Sequence, residues 1–240
     1  MNIDFSKAWS IFQRNFSLFT YGIEITLLFA VVGTVAGFFV GLVAGGIRAV
    51  EVNEYDNTVT KLLKRIGKFL TGFYIWVFRG TPMMVQAMFL YYLLRPVIGW
   101  SSMTAGLFII SINTGAYMAE IIRSGIQSVD IGQTEAAKSI GMTTTQTLIS
   151  IIFPQAVKNS FPSIGNQLIV NIKDSSMLNV ITVTELYFQT TSIAGSNMRF
   201  IETFLVSAFI YLFLTTLSTF ILNYIEKRMN TKNNHKDFCS

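Results

Sequence analysis

Charge is scarce in this chain of 240 residues: 13% are Asp, Glu, Lys or Arg, against roughly 25% in a soluble domain. Hydrophobic residues make up 51%, and the mean hydropathy is +0.50. That balance excludes an ordinary soluble domain and implies an integral membrane protein. Cysteine occurs only at Cys239 and histidine only at His235, both in a polar C-terminal tail. A lone cysteine excludes a disulfide framework and any metal-ligand spacing, so no metal site is expected. A lone tail histidine leaves no Ser-His or Cys-His constellation for the interior. No G-x-x-x-x-G-K-[ST] loop is present, so the chain has no P-loop of its own. The amphipathic start, "MNIDFSKAWSIFQRNF", lacks the basic residues and apolar run of a cleaved signal peptide. No internal repeat is visible, which speaks against a single-chain inverted-repeat transporter.

The apolar content is arranged in spans. A membrane-crossing helix takes about 20 apolar residues. On that measure the spans fall at 25–47, 69–94 (interrupted), 103–122, 162–186 and 204–224. The fold expected is all-α and membrane-integral, with about five transmembrane helices. Eleven basic residues lie after spans one and three and in the tail: Arg48, Lys61, Lys64, Arg65, Lys68, Arg123, Lys138, Lys227, Arg228, Lys232 and Lys236. The alternate segments hold Lys7, Arg14, Arg95 and Arg199. The bias predicts a multi-pass protein of the cell (plasma) membrane with its N-terminus outside and C-terminus in the cytoplasm. It also accounts for the net charge of +5 without nucleic acid. The organisation expected is an extracytoplasmic amphipathic segment at 1–24, a transmembrane domain at 25–225 and a cytoplasmic tail at 226–240. Span one carries Gly33, Gly37, Gly41 and Gly45, a ladder on one helix face where backbones approach closely. It serves either a seam between subunits or, the commoner use, packing within one subunit.

The polar stretch "EAAKSIGMTTTQTLISIIFP" at 135–154 falls on the cytoplasmic side of that topology. Asp130 and Gln133 have capping-box spacing, helix formers follow, and Gly141 suits a left-handed stop. Thr143 and Gln146 repeat the box and start another helix. The spacing predicts a short helix over about 131–141, a sharp turn, and a helix returning to the membrane. Ala136 and Ala137 would leave a bare face for a partner's groove; an ordinary loop helix without a partner has the same pattern.

The segment resembles the EAA loop of ABC-transporter permease subunits through Glu135, Ala136, Ala137, Gly141, Ile151 and Pro154, with Phe153 where that family usually has leucine. Three further stretches are similar to its branch for polar amino acids (histidine, glutamine, arginine, cystine and opines): "FRGTPMMVQ" at 78–86, "NTGAYMAEIIRSGIQSV" at 113–129 and "KDSSMLNVITVTEL" at 173–186. The resemblance implies a type I ABC importer permease fold. It implies a coupling helix, with Glu135, Ala136, Ala137 and Gly141, that docks on a cytoplasmic ABC ATPase dimer. The other partners implied are a second permease subunit (the same or a related chain), an extracytoplasmic solute-binding protein and membrane lipid. No cofactor is expected in this chain, ATP and magnesium belonging to the ATPase, and no catalysis of its own.

Polar groups inside the spans mark where a solute would pass. "RGTP" breaks span two, with Thr81 a good N-cap and Pro82 a good first helical residue. The fresh N–H groups and Arg79 favour an anion there; the alternative for Arg79 is to snorkel or to pair with an acid of its own subunit. Asn113, Tyr117 and Glu120 share one helix face. Glu120 either receives an α-amino group or pairs with Arg123. Ser163, Gln167, Asn171 and Asp174 form a polar stripe that must meet protein or water, and Gln86 completes the set. An ion-driven secondary amino-acid transporter is the rival reading, and a membrane enzyme a remoter one.

Overall fold

Backbone N–H and C=O groups have no water to bond in a bilayer core, so a spanning chain satisfies them internally as helix. The computed structural model describes residues 4–50, 52 and 57–234, with side chains described as far as Met229, and all its regular structure is helical. His235 and Cys239 lie outside the described residues. In chain order the helices are α1 (Phe5–Arg14), α2 (Phe16–Ala49), α3 (Thr58–Gly80), α4 (Met83–Ile98), α5 (Ser102–Gln127), α6 (Ile131–Ser139), α7 (Thr144–Thr147), α8 (Phe153–Asp174), α9 (Leu186–Asn197) and α10 (Phe200–Asn234). A π turn, Leu148–Ile152, joins α7 to α8, and a 3-10 segment, Ser175–Ile181, follows α8.

Among the described residues α2, α5 and α10 are long and apolar enough to cross a membrane, and α4 is a shorter apolar helix of 16 residues. Several boundaries depart from the apolar windows, because polar residues on one helix face lower hydropathy without lowering helix propensity. The interrupted second span is two helices, and α3 starts at Thr58, eleven residues before the apolar stretch. The expected fourth span, 162–186, is displaced: α8 starts at Phe153, runs through Pro162 and ends at Asp174. The 1–24 segment is divided, since α2 already begins at Phe16, and α10 continues past residue 225 to Asn234.

The chain divides into two compact units built from interleaved segments. The first comprises Met1–Gly33, Met83–Ile110 and Leu168–Ser240. Its main core gathers Phe29, Ile109, Ile110, Leu178, Ile181 and Val183. Gly106 makes room for Phe29, whose ring would lie 2.7 Å from a Cβ there. A second cluster seats α1 on α10 through Ala8, Ile11, Phe19 and Val206. Asp4 caps α1, accepting from the Lys7 N–H at 3.1 Å and pairing with its ammonium at 2.9 Å; those bonds hold its carboxyl below the usual range. Glu185, fully buried, caps α9 by accepting from the Tyr187 and Phe188 N–H groups and from the Tyr211 hydroxyl at 2.8–2.9 Å. A buried carboxylate is tolerated when its lone pairs are filled in this way.

The second unit comprises Thr34–Pro82 and Ser111–Gln167. Its core is Ala44, Ile75, Ala116 and Ala119, flanked by Tyr74 and Phe78. The glycine ladder packs within the chain. A Cβ on Gly37 would sit 2.6 Å from Thr114 Cγ2, one on Gly41 would collide with Met118, and one on Gly45 would reach the Ala119 carbonyl at 3.0 Å. In the first unit Gly33 meets Ile110 in the same manner.

Candidate functional site

Two features of the second unit carry chemistry. The first is the loop at 130–154. Asp130 caps α6, its Oδ1 accepting from the Gly132 N–H at 2.7 Å. Gln133 does not close the expected box: its side-chain oxygen takes a bond from Gln155 at 3.5 Å. The stop is as the spacing predicts. Gly141 has φ +83°, its N–H bonds the Lys138 carbonyl, and the Met142 N–H bonds the Ala137 carbonyl. Those two bonds form a Schellman motif. Thr143 and Gln146 form a complete capping box at 2.9 and 3.2 Å, which starts α7. The α7–π–α8 run then continues as one helical rod to Asp174.

The bare face of α6 is narrower than the sequence implies. Ala137 is 5% exposed and packs into the chain, so of the two alanines Ala136 faces out, beside exposed Glu135 and Lys138. Two large apolar side chains flank the helix in the open, Ile131 at 75% and Ile140 at 78%. Neither isoleucine stands out in the sequence, since one is the residue after a cap and the other the residue before a turn.

The second feature is an open polar cleft of about 400 Å³ lined by α3, α5 and α8, with Arg79, Tyr117, Glu120, Arg123, Ser124 and Ser163 on its walls. Glu120 is its electrostatic centre. Arg123 meets Glu120 Oε2 through Nη2 at 2.7 Å and Nε at 3.0 Å. Arg48 holds Oε1, and Arg79 approaches Oε2 at 3.9 Å while lying 5.4 Å from the Tyr117 ring centroid. Three guanidiniums around one carboxylate leave an excess of two positive charges. The pairing with Arg123 is the one anticipated at three-residue spacing; Arg48, 72 residues away in sequence, is not legible from spacing. Elsewhere on the cleft wall, α5 and α8 touch through Gly125, where a Cβ would strike Ser160 Oγ and come within 2.7 Å of the Ala156 carbonyl.

The remaining predicted residues are distributed as follows. Asn113 is buried and its Nδ2 donates to the Phe78 carbonyl at 3.4 Å, which ties α5 to the end of α3 just before Arg79. Thr81 is the C-cap of α3, its hydroxyl donating to the Val77 carbonyl at 2.8 Å, and α4 begins one residue later than expected, at Met83. Gln167 is buried in the second unit away from the cleft walls, and Gln86 and Asn171 are buried in the first.

Residues 59–231 match the family described as binding-protein-dependent transport system inner membrane component. The glutamine transport system permease protein of Escherichia coli strain K12 is 34% identical over 232 residues, covering 95% of this chain and 99% of its own. The arginine transport system permease protein of Bacillus subtilis strain 168 is 30% identical over 233 residues, covering 96% and 99%. The crystal structure of an amino acid ABC transporter with histidines superposes with a TM-score of 0.81 at 33% identity, covering 95% of this chain and 100% of that one. The inward-facing MetNI methionine ABC transporter, at 17% identity, shares the fold with a TM-score of 0.72 over 89% and 96%.

Proposed function

From the premise that this chain belongs to the family of binding-protein-dependent transport system inner membrane components, we propose how it carries out transport. It is a multi-pass membrane permease of an amino-acid ABC importer with the type I importer fold, not an ion-driven carrier. The chain lies with its N-terminus outside, so that the 130–154 loop faces the cytoplasm. There α6 docks on an ABC ATPase dimer, which hydrolyses the ATP with its own magnesium. A second permease copy or relative completes the path, and an extracytoplasmic binding protein delivers the solute.

The observation that carries the docking is that α6 is a short helix sharply delimited at both ends. It is nine residues long, stopped by a left-handed glycine and followed at once by a boxed helix start, with exposed isoleucines at both ends. Such a helix is too short to be stable alone. Its exposed face fits a groove, and the continuous rod from α7 into α8 carries displacement toward the membrane.

In the cleft, the loosest of the Glu120 partners is Arg79. A partly exposed pair at 3.9 Å is worth no more than about 1 kcal/mol, so a solute carboxylate competes for Arg79 while Arg48 and Arg123 keep Glu120 neutralised. When Arg79 turns away, the Tyr117 ring offers its face to the solute's ammonium. Asn113 acts as a positioning residue, holding the Phe78 carbonyl and with it the approach of Arg79. Thr81 and Gln167, which belong to the same unit as the cleft, are further proposed members of the path.

The test is uptake by the reconstituted complex of this chain, its ATPase and its binding protein. Uptake is expected to require ATP and to persist when ion gradients are collapsed; uptake that follows a gradient without ATP would reject the reading.

A further inference from the structure

The basic residues between α2 and the core of α3 fall in a loop by hydropathy, yet they occupy the first three turns of a helix. Lys61, Lys64, Arg65 and Lys68 stand at steps of three, one and three, which puts all four on one face. A second face is apolar and open. Leu62 is 57% exposed, Leu63 64%, Phe69 71% and Trp76 72%, with Ile66 and Phe73 between them. A third face packs into the second unit: Gly67 approaches Ile47, and Tyr74, Ile75 and Phe78 join the core with Ala44 and Ala119. The helix carries no acidic residue. The acids that precede it, Glu51, Glu54 and Asp56, lie outside the described residues.

One face anchored in protein, one apolar and one cationic is the pattern of a helix lying at a bilayer interface, its apolar face among acyl chains and its lysines and arginines at headgroup level. Four clustered cations beside a membrane-embedded segment favour anionic headgroups over zwitterionic ones. We propose that the first half of α3 is a binding surface for anionic phospholipid, with Arg65 and Lys68 of the stripe receiving headgroup phosphates and Leu62, Leu63, Ile66 and Phe69 entering the acyl layer. This rests on the membrane placement of the chain and on no part of the solute pathway. In the topology proposed above, the surface lies on the same side as α6.

Trp76 is a built-in reporter on the apolar face. The full chain is made with Trp9→Phe and Trp100→Phe and reconstituted in phosphatidylcholine bilayers with a minority of phosphatidylglycerol, one or the other lipid brominated on its acyl chains. At equal mole fraction, brominated phosphatidylglycerol is expected to quench Trp76 more strongly than brominated phosphatidylcholine. The preference should fall about fivefold for each cation removed in Arg65→Gln and Lys68→Gln, persist in Arg65→Lys with Lys68→Arg, and shrink on the unsubstituted stripe at about 0.5 M salt. If the glutamine variants do not fold, the salt arm decides. Equal quenching by the two lipids, or a preference that survives both charge removal and salt, overturns the proposal. Quenching by neither overturns it too, since it would put a second copy of the chain against this face. No uptake is read, so a failure here is distinct from a failure of the transport reading.

Discussion

Arg79 is the arginine with most to do once solute arrives, since Glu120 holds it least closely. Arg79→Gln is expected to raise the solute KM for ATP-driven uptake by roughly ten- to a hundredfold, the loss of one hydrogen bond to a charged group being about 1.5–3 kcal/mol. Basal ATPase activity of the assembled complex should stay within about twofold. Unchanged uptake kinetics would show that Arg79 only packs on Tyr117. The glycines separate by sign. Gly41→Val places carbon against Met118 and the α5 backbone, and should destabilise by about 1–3 kcal/mol or more, read as a lowered Tm in detergent. Gly46→Ala meets no atom within 4 Å and should stabilise by about 0.5–1 kcal/mol in a helix interior. The four-residue spacing already separates them, Gly41 standing on the ladder and Gly46 one position off it, but that the ladder faces α5 depends on a partner far along the chain and is not legible there. For the same reason Glu120's local partner Arg123 is legible in the sequence and Arg48 is not.

At the scale of elements, local chemistry alone predicts most of the 130–154 loop. Caps and left-handed stops are satisfied by groups within five residues, so Asp130, Gly141 and the Thr143–Gln146 box stand where spacing puts them. Gln133 departs because a residue 22 positions away competes for it. Helix limits are less legible. Apolar windows sense the bilayer rather than the backbone, and they miss the basic half of α3 and the prolines carried inside α8. Gly141→Val tests the loop. Its φ of +83° costs an L-residue roughly 1–2 kcal/mol and disfavours β-branching still more. The variant should insert at normal levels but lose co-purification of the ATPase and ATP-driven uptake together. Full uptake with normal ATPase recovery would remove α6 from the coupling role.

For the whole molecule, the single cysteine offers a direct topology measurement. With Cys239 as the only thiol, a membrane-impermeant maleimide should label inside-out vesicles and spare right-side-out cells; the reverse would invert the chain and move α6 outside. The interleaving of the two units also has a bearing on biosynthesis. The second unit has all its segments once residue 167 is made, whereas the first, which begins the chain, needs Leu168–Ser240. The helix that α1 packs on starts 186 residues after α1 ends, a delay of roughly 10–40 s at about 5–20 residues per second. During that interval Ala8, Ile11 and Phe19 have no α10 to cover them, and the lipid surface is the apolar shelter within reach. α1 is thus made well before the helix it packs on. Slowing synthesis late in the message, or cutting the product before α10, should leave the second unit able to assemble and expose the N-terminal helix to membrane proteases.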